Sequence, residues 1–123
     1  MRVLVCGGRN YQDRDRVFRE LNKLCGEISD ENPLGTVPLH IIHGGCRTGA
    51  DDFADQYAIV HWCGLSIFPA EWAKHGRAAG PIRNQRMIDE GKPDLVLAFP
   101  GGRGTADMVR RARAAGVEVI ESS

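Results

Sequence analysis

Three short apolar runs in this chain each end in a cluster of glycines. Val3-Leu4-Val5-Cys6 meets Gly7-Gly8-Arg9, and Leu39-His40-Ile41-Ile42-His43 meets Gly44-Gly45-Cys46-Arg47-Thr48-Gly49. Asp94-Leu95-Val96-Leu97-Ala98-Phe99 meets Pro100-Gly101-Gly102-Arg103-Gly104-Thr105. Such runs, without regular apolar–polar alternation, predict strands buried on both faces, as in a parallel sheet covered by helices. Leu65-Ser66-Ile67-Phe68, stopped by Pro69, and Val117-Glu118-Val119-Ile120 read as two further strands. Helical spacing lies between them. Val17, Leu21, Leu24, Cys25 and Ile28 mark a helix from its N-cap Asp13 to about Ile28. Phe53, Ala54, Tyr57, Ala58 and His61 mark one from about Ala50 to Trp62. Pro81 to Gly91 and Thr105 to Ala115 read as two more, the first with Pro in its opening turn and Gly as its stop. Ser29 to Pro38 reads as a loop, as does the polar stretch Ala70 to Ala79 that carries Trp72. Strand–helix alternation throughout predicts a three-layer Rossmann-like α/β fold. Its single parallel five-stranded sheet has helices on both faces and fills one domain over residues 1–123.

Composition narrows the partners. The 16 Lys and Arg balance the 16 Asp and Glu, so no overall basic field holds a nucleic-acid backbone, and nucleic acid is not an expected partner. With 42% apolar and 26% charged residues the chain reads as an ordinary soluble protein. Its apolar runs fall far short of the roughly 18 residues that span a bilayer, so no membrane is expected. Met1-Arg2 leads directly into the first strand without a signal-peptide pattern, and a cytoplasmic location is expected. Cys6, Cys25, Cys46 and Cys63 form no CxxC pair and no zinc-like spacing with histidine, so reduced thiols and no metal are expected.

In a fold of this kind ligands sit beyond the carboxyl ends of the strands. The glycine-rich loops leaving the first, second and fourth strands share that edge. Glycine lets backbone approach a ligand closely, and a following helix N-terminus favours an anion. Arg9, Arg47 and Arg103 stand in these loops and Arg83 in the helix after Pro81, and guanidinium groups pair well with phosphate. Gly44 to Gly49 has the G-x-x-x-x-G spacing of a P-loop, but Ala50 and Asp51 stand where Lys and Ser/Thr are needed. The third loop also lacks the full dinucleotide fingerprint. Neither ATP with magnesium nor NAD is therefore expected, and no cofactor is assigned. An aspartate at that helix start suits sugar hydroxyls and a monophosphate better than a triphosphate. Thr48 and Asp51 also have the spacing of a capping pair. Trp72 is placed either to stack on a base or to plug the core under its loop. His40 and His43, set among strand isoleucines, read as structural; His75 and the run Arg110, Arg111 and Arg113 read as surface.

The motifs resemble a known family. Pro100-Gly101-Gly102-Arg103-Gly104-Thr105 resembles the PGGxGT signature of the LOG phosphoribohydrolases, which release a base from nucleoside monophosphates. The chain is most similar to a branch of the SLOG superfamily related to YspA and YpsA. In that branch GGR, GGxxxGAD, a Trp followed by HGxxAGPxRN, and PGGxGT occur in order. Here they are Gly7-Gly8-Arg9, Gly44 to Asp51, Trp72 with His75 to Asn84, and Pro100 to Thr105. The resemblance implies that the site is built from Gly7, Gly8, Arg9, Gly44, Gly45, Arg47, Thr48, Gly49, Trp72, Asn84 and Pro100 to Thr105. It implies catalytic parts, if any, for Arg83 and Asp51, and a homodimer. The sequence departs from the hydrolases at one position: where they carry a catalytic Glu three residues after the Thr, Met108 stands, with Asp107 beside it about 100° around the helix. The expected function is binding of a nucleotide or nucleotide-derived ligand, as a sensor or binding module. The alternatives are an N-glycosidic hydrolase in which Asp51, Glu71 or Asp107 replaces the missing Glu, and a single-stranded DNA binder. The second is disfavoured by zero net charge and few aromatics.

Overall fold

A computed structural model describes residues 1–31 and 39–122. Its strands are β1 (Arg2–Cys6), β2 (His40–His43), β3 (Gly64–Ile67), β4 (Leu95–Ala98) and β5 (Glu118–Glu121). Its helices are α1 (Arg14–Glu31), α2 (Gly49–Val60), α3 (Trp72–His75), α4 (Ala79–Asp89) and α5 (Arg103–Ala114), with a 3₁₀ turn at Gly76–Ala78. All four strand pairings are parallel, in the order β3-β2-β1-β4-β5. Leu4 of the central strand pairs with Ile42 on one side and Val96 on the other. The five parallel strands with helices on both faces are the expected three-layer architecture.

Alternate strand residues point to opposite faces, so each buried strand feeds two cores. Val3, Val5, Ile41, Leu95 and Leu97 meet Val17 and Leu21 of α1 and Ala54 and Tyr57 of α2. Leu4, Ile42, Val96 and Ala98 meet Met87 and Ile88 of α4 and Met108, Val109 and Ala112 of α5. Chain order reverses between β1 and β4, which opens a crevice at their carboxyl ends. Among the described residues no helix is long and apolar enough to cross a membrane.

The structure differs from the sequence reading at two connections. Helix α1 continues through Ser29 and Asp30 to Glu31, and the rest of the expected loop, 32–38, lies outside the described residues. The stretch Ala70 to Ala79 holds α3 and the 3₁₀ turn, because the amides of Lys74 and His75 both donate to the Glu71 carbonyl and close a helical turn. Helix α4 begins two residues ahead of Pro81, which leaves the proline in a first turn where its missing N–H costs no hydrogen bond.

Glycines bring the loops at this edge into direct backbone contact. Gly49 opens α2 at φ +74, and a Cβ there would collide with the Gly8 carbonyl oxygen and the Arg9 backbone. Gly26, inside α1, has open space around the same point. Gly49→Ala is expected to lower stability by about 2 kcal/mol or more, combining a left-handed backbone with a backbone clash. Gly26→Ala is expected to raise it by about 0.5–1 kcal/mol through helix propensity. Urea denaturation of the two variants checks both signs.

Candidate functional site

A cleft of about 1450 Å³ lies over the carboxyl ends of β1, β2 and β4. The loop after β1 contributes Gly7, Gly8 and Arg9, the loop after β2 contributes Gly44 and Cys46, and Asp51 follows from α2. Trp72, Arg83 and Asn84 close it from the α3–α4 side, and Pro100 to Thr105 form the opposite wall. Gly45, Arg47, Thr48 and Gly49 do not line it. Gly45 sits at φ +82 with its Cβ direction against Ile67 and Pro69, Gly49 packs under the β1 loop, and Arg47 and Thr48 are exposed.

The glycines divide into two kinds. Gly7 faces the Ala50 side chain, where a Cβ would come within 2.6 Å. Gly8 donates its amide to the Pro100 carbonyl at 2.9 Å, and its Cβ direction meets the Gly101 backbone at 3.1 Å. Gly101 in turn packs on Gly8 and Thr105. These residues are glycine because backbones touch. Gly102 and Gly104 have open space where a side chain would stand. Gly102 is the N-cap of α5 and no side chain caps that helix, so its first-turn amides lack intrahelical partners.

The floor is polar and held in place. Asp51 is buried, and its Oδ2 accepts the Cys46 amide at 3.2 Å. The capping pair with Thr48 does not form: Thr48 makes no side-chain cap bond, and the carboxylate turns inward instead. Burial pushes the Asp51 carboxyl above its usual range; the Cys46 amide, His43, Arg83 and the Gly44 amide pull the other way without overcoming it. Arg83 donates from Nη1 to the Gly44 carbonyl at 2.7 Å and from Nε to Asn84 Oδ1 at 3.1 Å. A side chain at Gly44 would displace that guanidinium. Asn84, 4% exposed, donates from Nδ2 to the Gly104 carbonyl at 3.1 Å and to Asp107 Oδ2 at 3.0 Å. Asp107 also accepts Arg111 Nε at 2.8 Å and an Arg110 N–H. Burial raises the Asp107 carboxyl, but the bonds from Arg111, Asn84 and Arg110 outweigh it and hold it below the usual aspartate range. This chain of bonds ties α4 to the β2 loop on one side and to α5 on the other.

His43 is a structural anchor. Its Nδ1 accepts the Gly45 amide at 2.9 Å, which leaves the proton on Nε2 to be donated to Asp55 Oδ1 at 2.8 Å. Of the remaining acidic candidates, Glu71 pairs with Lys74 and His75 outside the cleft. Met108 is buried in the α5 core, and Met87 and Ile88 are core as well, leaving Ile82 as the exposed apolar residue of the three on α4. Cys6 lines the cleft, but burial pushes its thiol up to about 12, so it stays protonated. The sequence reading did not place Tyr11, Cys46, Arg77 or Arg110 at the cleft, where all four stand. Arg77 had a signal in its position within the His75 to Asn84 motif; Arg110 had none beyond its place two turns into α5.

The sequence profile of the YspA, cpYpsA-related SLOG family matches residues 1–75. The Gene 61 protein of Mycobacterium phage D29 is 40% identical over 126 aligned residues, which cover 97% of this chain and 94% of that protein.

The two cleft aspartates carry opposite pH signatures. A raised folded-state pKa means that ionising Asp51 costs stability as pH rises past about 3.8. A depressed one means that Asp107 adds stability above about 3.8, lost as pH falls through its lower folded value. Asp51→Asn is therefore expected to unfold at higher urea than the parent at pH 7, with the gain fading in acid. Asp107→Asn is expected to unfold at lower urea at pH 7, with that deficit fading in acid. A less stable Asp51→Asn at pH 7 contradicts the burial argument.

Proposed function

The chain belongs to the YspA, cpYpsA-related SLOG family, whose members suggest a nucleotide-related binding or processing role, and from that premise we propose that it binds a nucleotide or nucleotide-derived ligand in the cleft at the β1–β4 crevice, as a sensor or binding module. One observation carries the reading. The wall from Pro100 to Thr105 presents open glycines and an uncapped helix N-terminus to a cleft that also holds arginines. Among the described residues, Arg9, Arg77 and Arg103 line this cleft without a side-chain hydrogen bond or ion pair, although the whole chain is neutral. A phosphate on the first-turn amides of α5 satisfies donors that the protein leaves open. The Asp51 carboxylate on the floor accepts ribose hydroxyls. Trp72, 57% exposed at the mouth, offers its face to a base. A single phosphate suits this arrangement because Asp51 repels a longer anionic tail.

A second reading has one observation in its favour. Asp51 is a buried carboxylate with a raised pKa beside Arg83, the combination expected of an acid or base at an active centre. It supports hydrolysis of a nucleotide N-glycosidic bond with Asp51 in place of the Glu that Met108 replaces. Asp107 is less suited, because its carboxylate already accepts from three side chains. A homodimer is part of the same proposal, and a monomeric mass by light scattering at micromolar concentration overturns that part.

Thermal shift with matched nucleosides and nucleoside mono-, di- and triphosphates tests the main reading. At a hundredfold excess over Kd a ligand stabilises by about 2.7 kcal/mol, a Tm rise on the order of 10 °C. A monophosphate is expected to give this rise and its nucleoside little. Gly102→Val is expected to abolish the shift while the protein stays folded with a Tm lowered by a few degrees, since a Cβ at Gly102 meets no protein atom and valine is a poorer N-cap than glycine. Binding that survives Gly102→Val places the phosphate elsewhere. Release of free base, lost in Asp51→Asn, decides for the hydrolase.

A further inference from the structure

A second cavity of about 710 Å³ lies beyond the carboxyl ends of β4 and β5. It is lined on its far side by Arg113, Glu121 and Ser122, and it shares a wall with the main cleft. Pro100, Gly101, Gly102, Thr105, Ala106 and Arg110 face both. The partition is thus one loop and the first two turns of α5. On this shared wall Gly102 carries no side chain and has open space around it, so the wall is lowest at the start of α5. The main cleft alone exceeds the roughly 300–1,000 Å³ of pockets that enclose one drug-sized molecule.

From this geometry we infer that the ligand is a two-part nucleotide, whose phosphate bridges two organic groups and lies across the α5 ridge. This rests on the nucleotide reading of the main cleft and deepens it. A terminal phosphate seated on the ridge would leave the second hollow unfilled. A bridging phosphate has a substituent leaving on each side, one toward Asp51 and Trp72 and one toward Arg113 and Glu121. Open parallel sheets bind two-part nucleotides across the point where strand order reverses, here between β1 and β4, and the second hollow lies on the β4–β5 side of it. Arg110 lines both hollows, its guanidinium held by Asp107 on the same helix, and so brings a cation to the wall between them. Across the groove mouth, Arg113 and Glu121 pair at 3.0 Å, one on the helix and one on the strand, and both are exposed. They offer a cation and a carboxylate to the hydroxyls and ring edges of a second nucleoside. Linking the two halves makes the second contact intramolecular, so affinity rises without any change in the main cleft.

The test compares AMP, adenylyl-3′,5′-adenosine and diadenosine diphosphate by calorimetry on the full chain. The last two carry the second nucleoside through a phosphodiester and a pyrophosphate respectively, and they identify the bridge. At least one is expected to bind tenfold or more tightly than AMP. Glu121→Trp and Arg113→Trp fill the groove from opposite rims at exposed positions, and circular dichroism checks the fold of each. In each folded variant the ratio of two-part to AMP affinity is expected to fall toward one. Equal affinity for AMP and both two-part compounds overturns the inference and leaves the cleft reading intact. A preference that persists in the groove variants also overturns it, because both halves then lie in the main cleft. Failure of all three compounds to bind overturns the nucleotide reading and the inference with it.

Discussion

The hydrogen bond from the Gly8 amide to the Pro100 carbonyl, 2.9 Å long, joins the loops leaving the two strands at which chain order reverses. It forms because neither Gly8 nor Gly101 has a side chain to keep the backbones apart. Gly7 against Ala50 and Gly49 against Gly8 extend the same close packing to the start of α2. Three strand ends and two helix N-termini are thereby fixed in one small volume. A loop at a sheet edge is ordinarily the most mobile part of a domain. Here the loops carry one another, and each gives up side-chain bulk to do so. The start of α5 then stands at a cleft whose walls are tied to one another by backbone contact.

Electrostatics within that frame follow a division of labour between two aspartates. Asp107 has three side-chain donors around it and is held ionised. Its charge is spent on fixing Asn84, Arg110 and Arg111, and so on setting α5 against α4. Asp51 has fewer donors and deeper burial, and its carboxyl is pushed up. A group left in that condition is costly to the fold, and such cost is tolerated where it serves a site. Arg83 lies between the two systems, with one nitrogen on the Gly44 carbonyl and another on Asn84. It fixes the position of the Gly44 loop as well as bringing its own charge to the cleft.

Every strand was legible in the sequence: β1, β2 and β4 carry apolar residues in succession and end in glycine clusters, whereas the more exposed β3 and β5 are marked only by short apolar-rich runs, one stopped by Pro69 and the other opened after Gly116. Their order was not, since nothing in one run of valines and leucines says which neighbour it pairs with. The helical turn at Trp72–His75 escaped because four polar-to-aromatic residues carry no periodicity. It exists through tertiary context and the Glu71 carbonyl. At the candidate site, Gly7, Gly8, Gly44 and Pro100 to Thr105 were identifiable by position after a strand. What the sequence did not reveal was that Gly8 and Gly101 serve packing while Gly102 and Gly104 leave space. Asn84 likewise read as a ligand contact; in the structure its amide crosslinks α4 and α5, with partners 20 and 23 residues away.

Met108 brings these threads together. At the helical position where the related hydrolases carry an acid, the side chain here is 1% exposed and packs with Leu4, Val96 and Val109. Met108 also borders the cleft, so a glutamate at that place would set a charge between the apolar layer and the cleft floor, costly unless paired or wetted. Asn84 and Arg111, donors that stand between α4 and α5, already belong to Asp107. The exchange of acid for methionine and the saturation of Asp107 are thus two sides of one arrangement. With methionine at this position, α5 starts at Gly102 without a side-chain cap and buries Met108 beneath. A hydrolytic centre needs a proton donor or acceptor beside the bond to be cut, whereas a recognition site needs a fixed surface that the ligand alone completes. Asp107, in the first turns of α5, is already bonded by three side chains, which leaves Asp51 as the buried carboxylate at the cleft.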